Sequence, residues 1–349
     1  MNVCIRVDSS EQIGTGHVFR CLTLAKQLCD QGSHVTFAQR IQNGDMLSFL
    51  RKQQYEVIEL ADVQDWDEEK DANHFLQQID RDFDWVIVDH YQLSYVWEKR
   101  VGDGLQARIA VIDDLANRKH DCELLLDQNY FSQYEVRYKN LVPDHCKLFL
   151  GPAYLILRDE FKHGRHNALG EKRILVFFGG SDPTNETEKV LLALDQSEVD
   201  GWEVDVVVGT ANPNRDKIQR EADRLGYHYH CQIDYLADLM SRATFSFGAG
   251  GVTMWERCYV GIPSYVTIVA ENQRQSTMDA DAFGAVKLIG WHDDVGVEEY
   301  VHALREAFNH EEGLKDIRQK GWDLLKSSRE SDIHPVVLEM MKWKSNERC

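Results

Sequence analysis

The sequence predicts an α/β protein of two lobes, each a parallel sheet flanked by helices, with a cleft between them. Three observations lead there. The 349 residues exceed what a single hydrophobic core usually organises. Short apolar runs rich in β-branched and aromatic residues alternate with amphipathic stretches, the pattern of βα units around a parallel sheet. Those runs also fall into two series, separated by a stretch with no sustained apolar period.

In the first series, strands are expected at 3–7, 34–38, 56–60, 84–89, 109–113, 123–126 and 147–150. The second series predicts strands at 173–178, 203–208, 228–232, 244–247, 264–269 and 285–289, with helices between them such as 214–225 and 298–309. Between the series, Gly151, Gly164 and Gly170 punctuate a partly basic stretch, so the hinge is expected within 151–172. Two Rossmann-like lobes follow, at 1–160 and 161–330. The segment 331–349 is expected to form a helix that packs back across them, preceded by a helical period over 314–325.

Composition narrows the function. Hydrophobic residues make up 43% and charged residues 28%, enough apolar material for a globular core. No run is long enough to span a bilayer and the N-terminus enters a strand directly, which points to a cytoplasmic protein without a membrane partner. The eight cysteines form no CxxC pair, so neither a zinc site nor a disulfide framework is expected. A net charge of -19 opposes nucleic-acid binding. An anionic small molecule then needs local devices: helix N-termini, glycine-rich backbone and a few arginines.

Open parallel sheets bind ligands beyond the carboxyl ends of their strands, so the residues after each strand matter most. The first such segment is SSEQIGTGH, residues 9–17. Gly14 and Gly16 allow close backbone approach, and His17 falls in the first turn of a helix. The partial positive charge there favours an uncharged imidazole able to accept a proton. A tight βα turn with a half-exposed histidine explains the same letters. VFFGGSDPTNE, residues 176–186, runs a buried strand into Gly179, Gly180 and Ser181, with a helix start capped by Thr184 or Asn185. It has no phosphate-loop lysine, which disfavours nucleoside triphosphates.

FGAGGVTMWER, residues 247–257, repeats the strand, glycine cluster and helix arrangement. Gly250 and Gly251 can admit a pyrophosphate, and Glu256 can meet ribose hydroxyls, although a surface glutamate is the plainer account of it. VDHY, residues 88–91, and DDLANR, residues 113–118, put polar groups at neighbouring strand ends. Their carboxylates read as hydrogen-bonding groups in preference to metal ligands. AENQ, residues 270–273, ends another strand with two amides suited to a sugar, or with a helix cap at Asn272.

Taken in order, RVDSSEQIGTGHVFRCLTLA, VDHYQLSYVWE, DDLANRKHDCELLLDQN, GPAYLILRDEF, FFGGSDPTNET, GAGGVTMWERC and DADAFGA resemble the blocks of the UDP-2,4-diacetamido-2,4,6-trideoxy-β-L-altropyranose hydrolases of pseudaminic acid biosynthesis, with relatives in spore-coat polysaccharide synthesis. The resemblance spans nearly the whole chain. It implies a glycosyltransferase-B-like fold with UDP in the C-terminal lobe, and metal-independent, inverting hydrolysis of a UDP-sugar without a cofactor. It also implies roles: His17 as general base, Tyr91 as a polar partner at the reacting sugar, and Gly14, Gly16 and Arg20 at the substrate. Gly180, Ser181, Gly250, Gly251, Val252, Thr253 and Glu256 would hold the diphosphate and ribose. Ile233 would meet the uracil, and Asn272 and Gln273 the sugar and its phosphate. Phe19 and Ser94 depart from the family pattern, which commonly has methionine and aspartate there.

UDP leaves as a stable anion, so this chemistry needs one base and no carboxylic acid. Three other readings stay open at this stage: a glycosyltransferase of the same fold, a hydrolysing UDP-N-acetylglucosamine 2-epimerase, and a non-catalytic nucleotide-sugar sensor.

Overall fold

The computed structural model describes residues 1–10, 12–61, 66–162, 172–197, 199–326 and 332–346. They divide into two compact units. Unit 1 holds residues 1–129 and 133–156 with the described C-terminal residues, and unit 2 holds 130–132 and 157–326. The chain thus passes between units after Ile156. Gly164 and Gly170 of the expected hinge lie outside the described residues.

Unit 1 runs β1 (Asn2–Val7), α1 (Gly16–Asp30), β2 (His34–Arg40), α2 (Leu47–Lys52), β3 (Glu56–Leu60), α3 (Glu68–Gln78), β4 (Trp85–Asp89), α4 (Tyr95–Leu105), β5 (Arg108–Ile112), β6 (Leu124–Asp127) and β7 (Lys147–Leu150). The strands form one parallel sheet in the order β3-β2-β1-β4-β5-β6-β7. Successive side chains of a strand face opposite ways, so both faces of this sheet are cored. Val3, Ile5 and Val7 pack with Val18, Cys21, Ala25 and Leu28 of α1 on one face. Cys4, Val86 and Val88 meet Phe75 of α3 and Trp97 of α4 on the other.

Unit 2 runs α5 (Asp159–Lys162), β8 (Arg173–Phe177), α6 (Glu186–Asp195), β9 (Glu203–Val208), α7 (Arg215–Leu225), β10 (His228–Cys231), α8 (Leu236–Arg242), β11 (Phe245–Ala249), α9 (Val252–Val260), β12 (Ser264–Ile268), α10 (Arg274–Phe283), β13 (Lys287–Trp291), α11 (Val297–Asn309) and α12 (Glu311–Leu324). Its parallel sheet has the order β10-β9-β8-β11-β12-β13. Each sheet therefore reverses direction between its first and fourth strands, β1 and β4 in unit 1, β8 and β11 in unit 2. That switch point is where open α/β sheets leave a crevice for ligands.

The last helix, α13 (Pro335–Asn346), belongs to unit 1. Val336, Val337 and Met340 enter the core that α1 lines, and the His334 amide donates to Gln27 Oε1 at 2.7 Å. All thirteen expected strands are present, with ends shifted by a residue or two. The last begins later than expected, at Lys287. Gly284, at φ +89°, and the Ala285 amide, bonded to the Ala280 carbonyl at 2.9 Å, still close α10, so the backbone extends only afterwards. Among the described residues no helix is long and apolar enough to cross a membrane.

Candidate functional site

The loop after β1 is shaped by Ser10. Its hydroxyl accepts from the amides of Gln12 and Ile13 at 3.2 and 3.1 Å, while its carbonyl accepts from Gly14 N at 2.8 Å. Gly14 sits at φ +78°, which favours glycine. A Cβ at Gly14 or Gly16 would meet nothing within 4 Å, so these glycines leave open space. His17 follows as the second residue of α1, in its first turn.

Register places Asp89, the last residue of β4, beside Val7 of β1. There the His17 Nδ1 lies 2.6 Å from Asp89 Oδ1. A ring nitrogen that close to a carboxylate oxygen carries a proton, so Nδ1–H donates to Asp89 and Nε2 is the ring nitrogen left to face other groups. Arg20, one turn along α1, grips the same carboxylate with a fork: Nε to Oδ2 and Nη2 to Oδ1, each at 2.5 Å. Its Nη1 reaches Asp114 Oδ2 at 3.2 Å. Burial alone would raise the Asp89 carboxyl, but the Arg20 guanidinium and the His17 N–H outweigh it and hold Asp89 well below the usual carboxylate range. The imidazole is thereby locked in one tautomer and one orientation. Tyr91 packs edge-on against it with ring centroids 4.6 Å apart, and the tyrosine hydroxyl donates to Asp114 at 3.3 Å.

A second charged cluster borders His17. Asp8, just past β1, accepts from Arg6 at 2.5 Å and from Arg40 Nε at 2.8 Å. His90 Nδ1 accepts from the Gln92 amide at 3.1 Å, which leaves the proton on Nε2, 3.0 Å from Asp8. Burial, with the Arg6 and Arg40 cations, holds this imidazole below its usual range despite Asp8, so His90 is a neutral donor. His17, Asp89, Asp8, Arg40 and His90 all line one cavity of about 770 Å³ within unit 1. Its volume is in the range that small-molecule ligands occupy.

Unit 2 builds differently. After β8, the expected cap at Thr184 or Asn185 is replaced by Asp182, whose carboxylate accepts from the amides of Glu186 and Thr187, both at 2.9 Å. Asn185 takes a left-handed backbone and makes no capping bond. A carboxylate already sits where a phosphate would, so the start of α6 is a self-filled anion site. The Gly180 carbonyl accepts from Gly209 N at 3.0 Å, and a Cβ at Gly209 would lie 2.5 Å from that oxygen. Ser181 is half-buried beside it.

The loop after β11 is unfilled by comparison. Gly251, at φ +84°, stands at the start of α9, with no side-chain cap and no acidic residue in the first turn, where Val252 and Thr253 are half-buried. A Cβ at Gly250 would lie 2.6 Å from Thr277 Oγ1 and 3.1 Å from the Gln273 side chain. Gln273 Oε1 accepts from the Val269 amide at 3.2 Å, and Asn272 is exposed beside it. Glu256 is buried, with both oxygens on Arg158, at 2.8 Å from Nε and 3.0 Å from Nη2. Ile233 is half-buried between β10 and α8.

Structure thus gathers Gly14, Gly16, His17, Arg20 and Tyr91 in unit 1, and the remaining expected residues in unit 2. Sequence reasoning missed Asp8, Arg40, His90 and Arg158, and saw Asp89 only as a strand-end carboxylate. Ser94 proves to be held by Glu68, whose carboxylate accepts from its hydroxyl and its amide, so a carboxylate does stand at this departure from the family pattern.

No protein-family model matches the chain. It is 29% identical over 247 residues to the UDP-2,4-diacetamido-2,4,6-trideoxy-β-L-altropyranose hydrolase of Campylobacter jejuni, covering 70% of this chain and 82% of that protein. It is 26% identical over 310 residues to the spore coat polysaccharide biosynthesis protein SpsG of Bacillus subtilis, covering 87% and 88%. These relatives bear out the resemblance drawn from the sequence blocks. Among solved structures, MurG of Acinetobacter baumannii matches with a TM-score of 0.67 at 16% identity, covering 98% of this chain and 99% of that one. The fold is of the glycosyltransferase-B type.

Proposed function

We propose that the chain is an enzyme of nucleotide-sugar metabolism that hydrolyses a UDP-linked diacetamido-trideoxy sugar at its anomeric carbon, giving UDP and the free sugar. The observation that carries this reading is the 2.6 Å contact between His17 Nδ1 and an Asp89 pinned by the Arg20 fork. It leaves Nε2 as a fixed base at the wall of a ligand-sized cavity. The name of the Campylobacter jejuni relative supplies the substrate class.

His17 Nε2 takes a proton from a water molecule as the water oxygen attacks the anomeric carbon. The bond from that carbon to the phosphate oxygen breaks, and UDP departs with the electron pair. Asp89 then faces an imidazolium, whose charge it stabilises. In-line attack inverts the anomeric centre. UDP is a good leaving group, so backbone amides at a helix start are sufficient to receive the developing charge, and the proposed reaction calls for no metal.

Incubation with the UDP-sugar alone, in EDTA, tests this. Rapid release of UDP and inverted free sugar, followed by proton NMR, is expected. Slow leakage that an acceptor alcohol accelerates would replace the hydrolase with a transferase, a reading that otherwise draws on the fold alone.

A further inference from the structure

Arg257 of α9 has no exposed surface. A buried guanidinium is ordinarily paired with a carboxylate, because an unpaired buried charge is costly. Among the described residues Arg257 pairs with none. Its Nη2 donates to the Ala249 carbonyl at 2.6 Å and its Nε to the Ser264 hydroxyl at 3.1 Å, while Nη1 has no partner. The adjacent Glu256 is committed to Arg158. Burial pushes the guanidinium down to about 10, still cationic at neutral pH. Room for it is made by Gly248, where a Cβ would lie 2.3 Å from Nη1 and 2.6 Å from the Phe177 carbonyl.

The charge lies under the loop that leads into α9. Carbonyl and N–H of a trans peptide point in opposite directions, so the bond to the Ala249 carbonyl turns the Gly250 N–H away from the guanidinium. A second buried orphan, Thr277 Oγ1, flanks the same loop at Gly250. The start of α6 has its anion built in as Asp182; the start of α9 has a cation beneath it and no anion.

We propose that Arg257 is a positioning residue of a diphosphate site at the start of α9: its uncompensated charge and its hold on Ala249 prepare the loop for a diphosphate, which supplies the missing negative charge. The inference rests on the nucleotide-sugar reading only for the identity of the whole ligand.

The test is calorimetric titration of the full-length protein with UDP, uridine and inorganic pyrophosphate, beside thermal melting of the free protein. Arg257→Gln keeps a donor for Ala249 and removes the charge. It should bind UDP and pyrophosphate about tenfold or more weakly, bind uridine as before, and melt no lower than wild type, since it sheds an unpaired buried charge. Arg257→Lys should recover most of the lost affinity. Gln-variant affinity for UDP within about twofold of wild type, or a loss shared equally by uridine, overturns the proposal. If the Gln variant does not fold, Arg257→Met is held to the same UDP-to-uridine comparison. Wild-type protein that binds pyrophosphate but not UDP refutes the nucleotide reading and supports this one; wild-type protein that binds UDP no better than uridine does the reverse.

Discussion

The two units share a strand order and a switch point, yet their strand ends carry opposite chemistry. In unit 1 the ends of β1, β4, β5 and β6 are marked by Asp8, Asp89, Asp113 and Asp127, each clasped by arginine: Arg6 and Arg40, Arg20, Arg118, and Arg137. In unit 2 the loops after β8, β9 and β11 carry Gly180, Gly209 and the pair Gly250 and Gly251, and among the described residues Asp182 is the one carboxylate there that binds the start of a helix. A fixed base needs an oriented side chain, whereas a diphosphate can be met by amides at a helix start. Under the proposed function, the difference corresponds to chemistry in one unit and binding in the other.

Substitutions in unit 1 should therefore lower kcat, and those in unit 2 should raise KM. The sharpest break comes from His17→Leu, which should cut kcat by about a hundred- to ten-thousand-fold while titration with UDP gives an unchanged affinity. Asp89→Asn comes next. With the carboxylate gone, the tautomer and the Arg20 fork are both compromised, and single-turnover rates should fall about a hundredfold.

The charged network of unit 1 also predicts a pH response that unit 2 should lack. His120 is fully buried, with Nδ1 2.7 Å from Glu98 and Nε2 3.8 Å from Asp113. Burial alone would lower it, but the two carboxylates push it up to about 9. A pKa raised in the folded state adds stability that is fully present below about pH 6.5 and is lost as pH rises through 9, on the order of 2 to 3 kcal/mol. Urea unfolding across that window should show the loss, and His120→Gln should abolish that part of the slope.

Smaller effects test unit 2 and the edge of the site. Glu256→Gln removes the buried partner of Arg158 and a proposed ribose contact, so steady-state kinetics should show KM raised about tenfold with kcat nearly intact. A fall in kcat of the size expected for His17→Leu would erase the division between units. Tyr91→Phe keeps the ring against His17 and loses one long bond to Asp114, so kcat should drop only about threefold.

Much of this was legible in the letters. Apolar runs of the right length announced all the strands, and four of them visibly end in aspartate: RVD, VIVD, VIDD and LLLD. Illegible was which partner each aspartate takes. His17 and Asp89 are 72 residues apart, and Arg158 and Glu256 are 98 apart. Such pairs meet because of strand order and helix placement, which local periodicity does not encode. Glycines are ambiguous for a related reason. Gly248 and Gly209 are cleared for a buried arginine and for a neighbouring loop's backbone, whereas Gly14 and Gly16 face open space, and a one-dimensional pattern cannot separate the two kinds. Likewise Asp182 outcompeted Thr184 and Asn185 because its carboxylate reaches two amides at once.

The proposed reaction is attack on carbon by water activated by the His17 and Asp89 pair, and turnover in oxygen-18 water with mass analysis of both products tests it most directly. The account predicts one heavy oxygen in the released sugar and none in UDP. Heavy oxygen in UDP would mean attack at phosphorus and would contradict it.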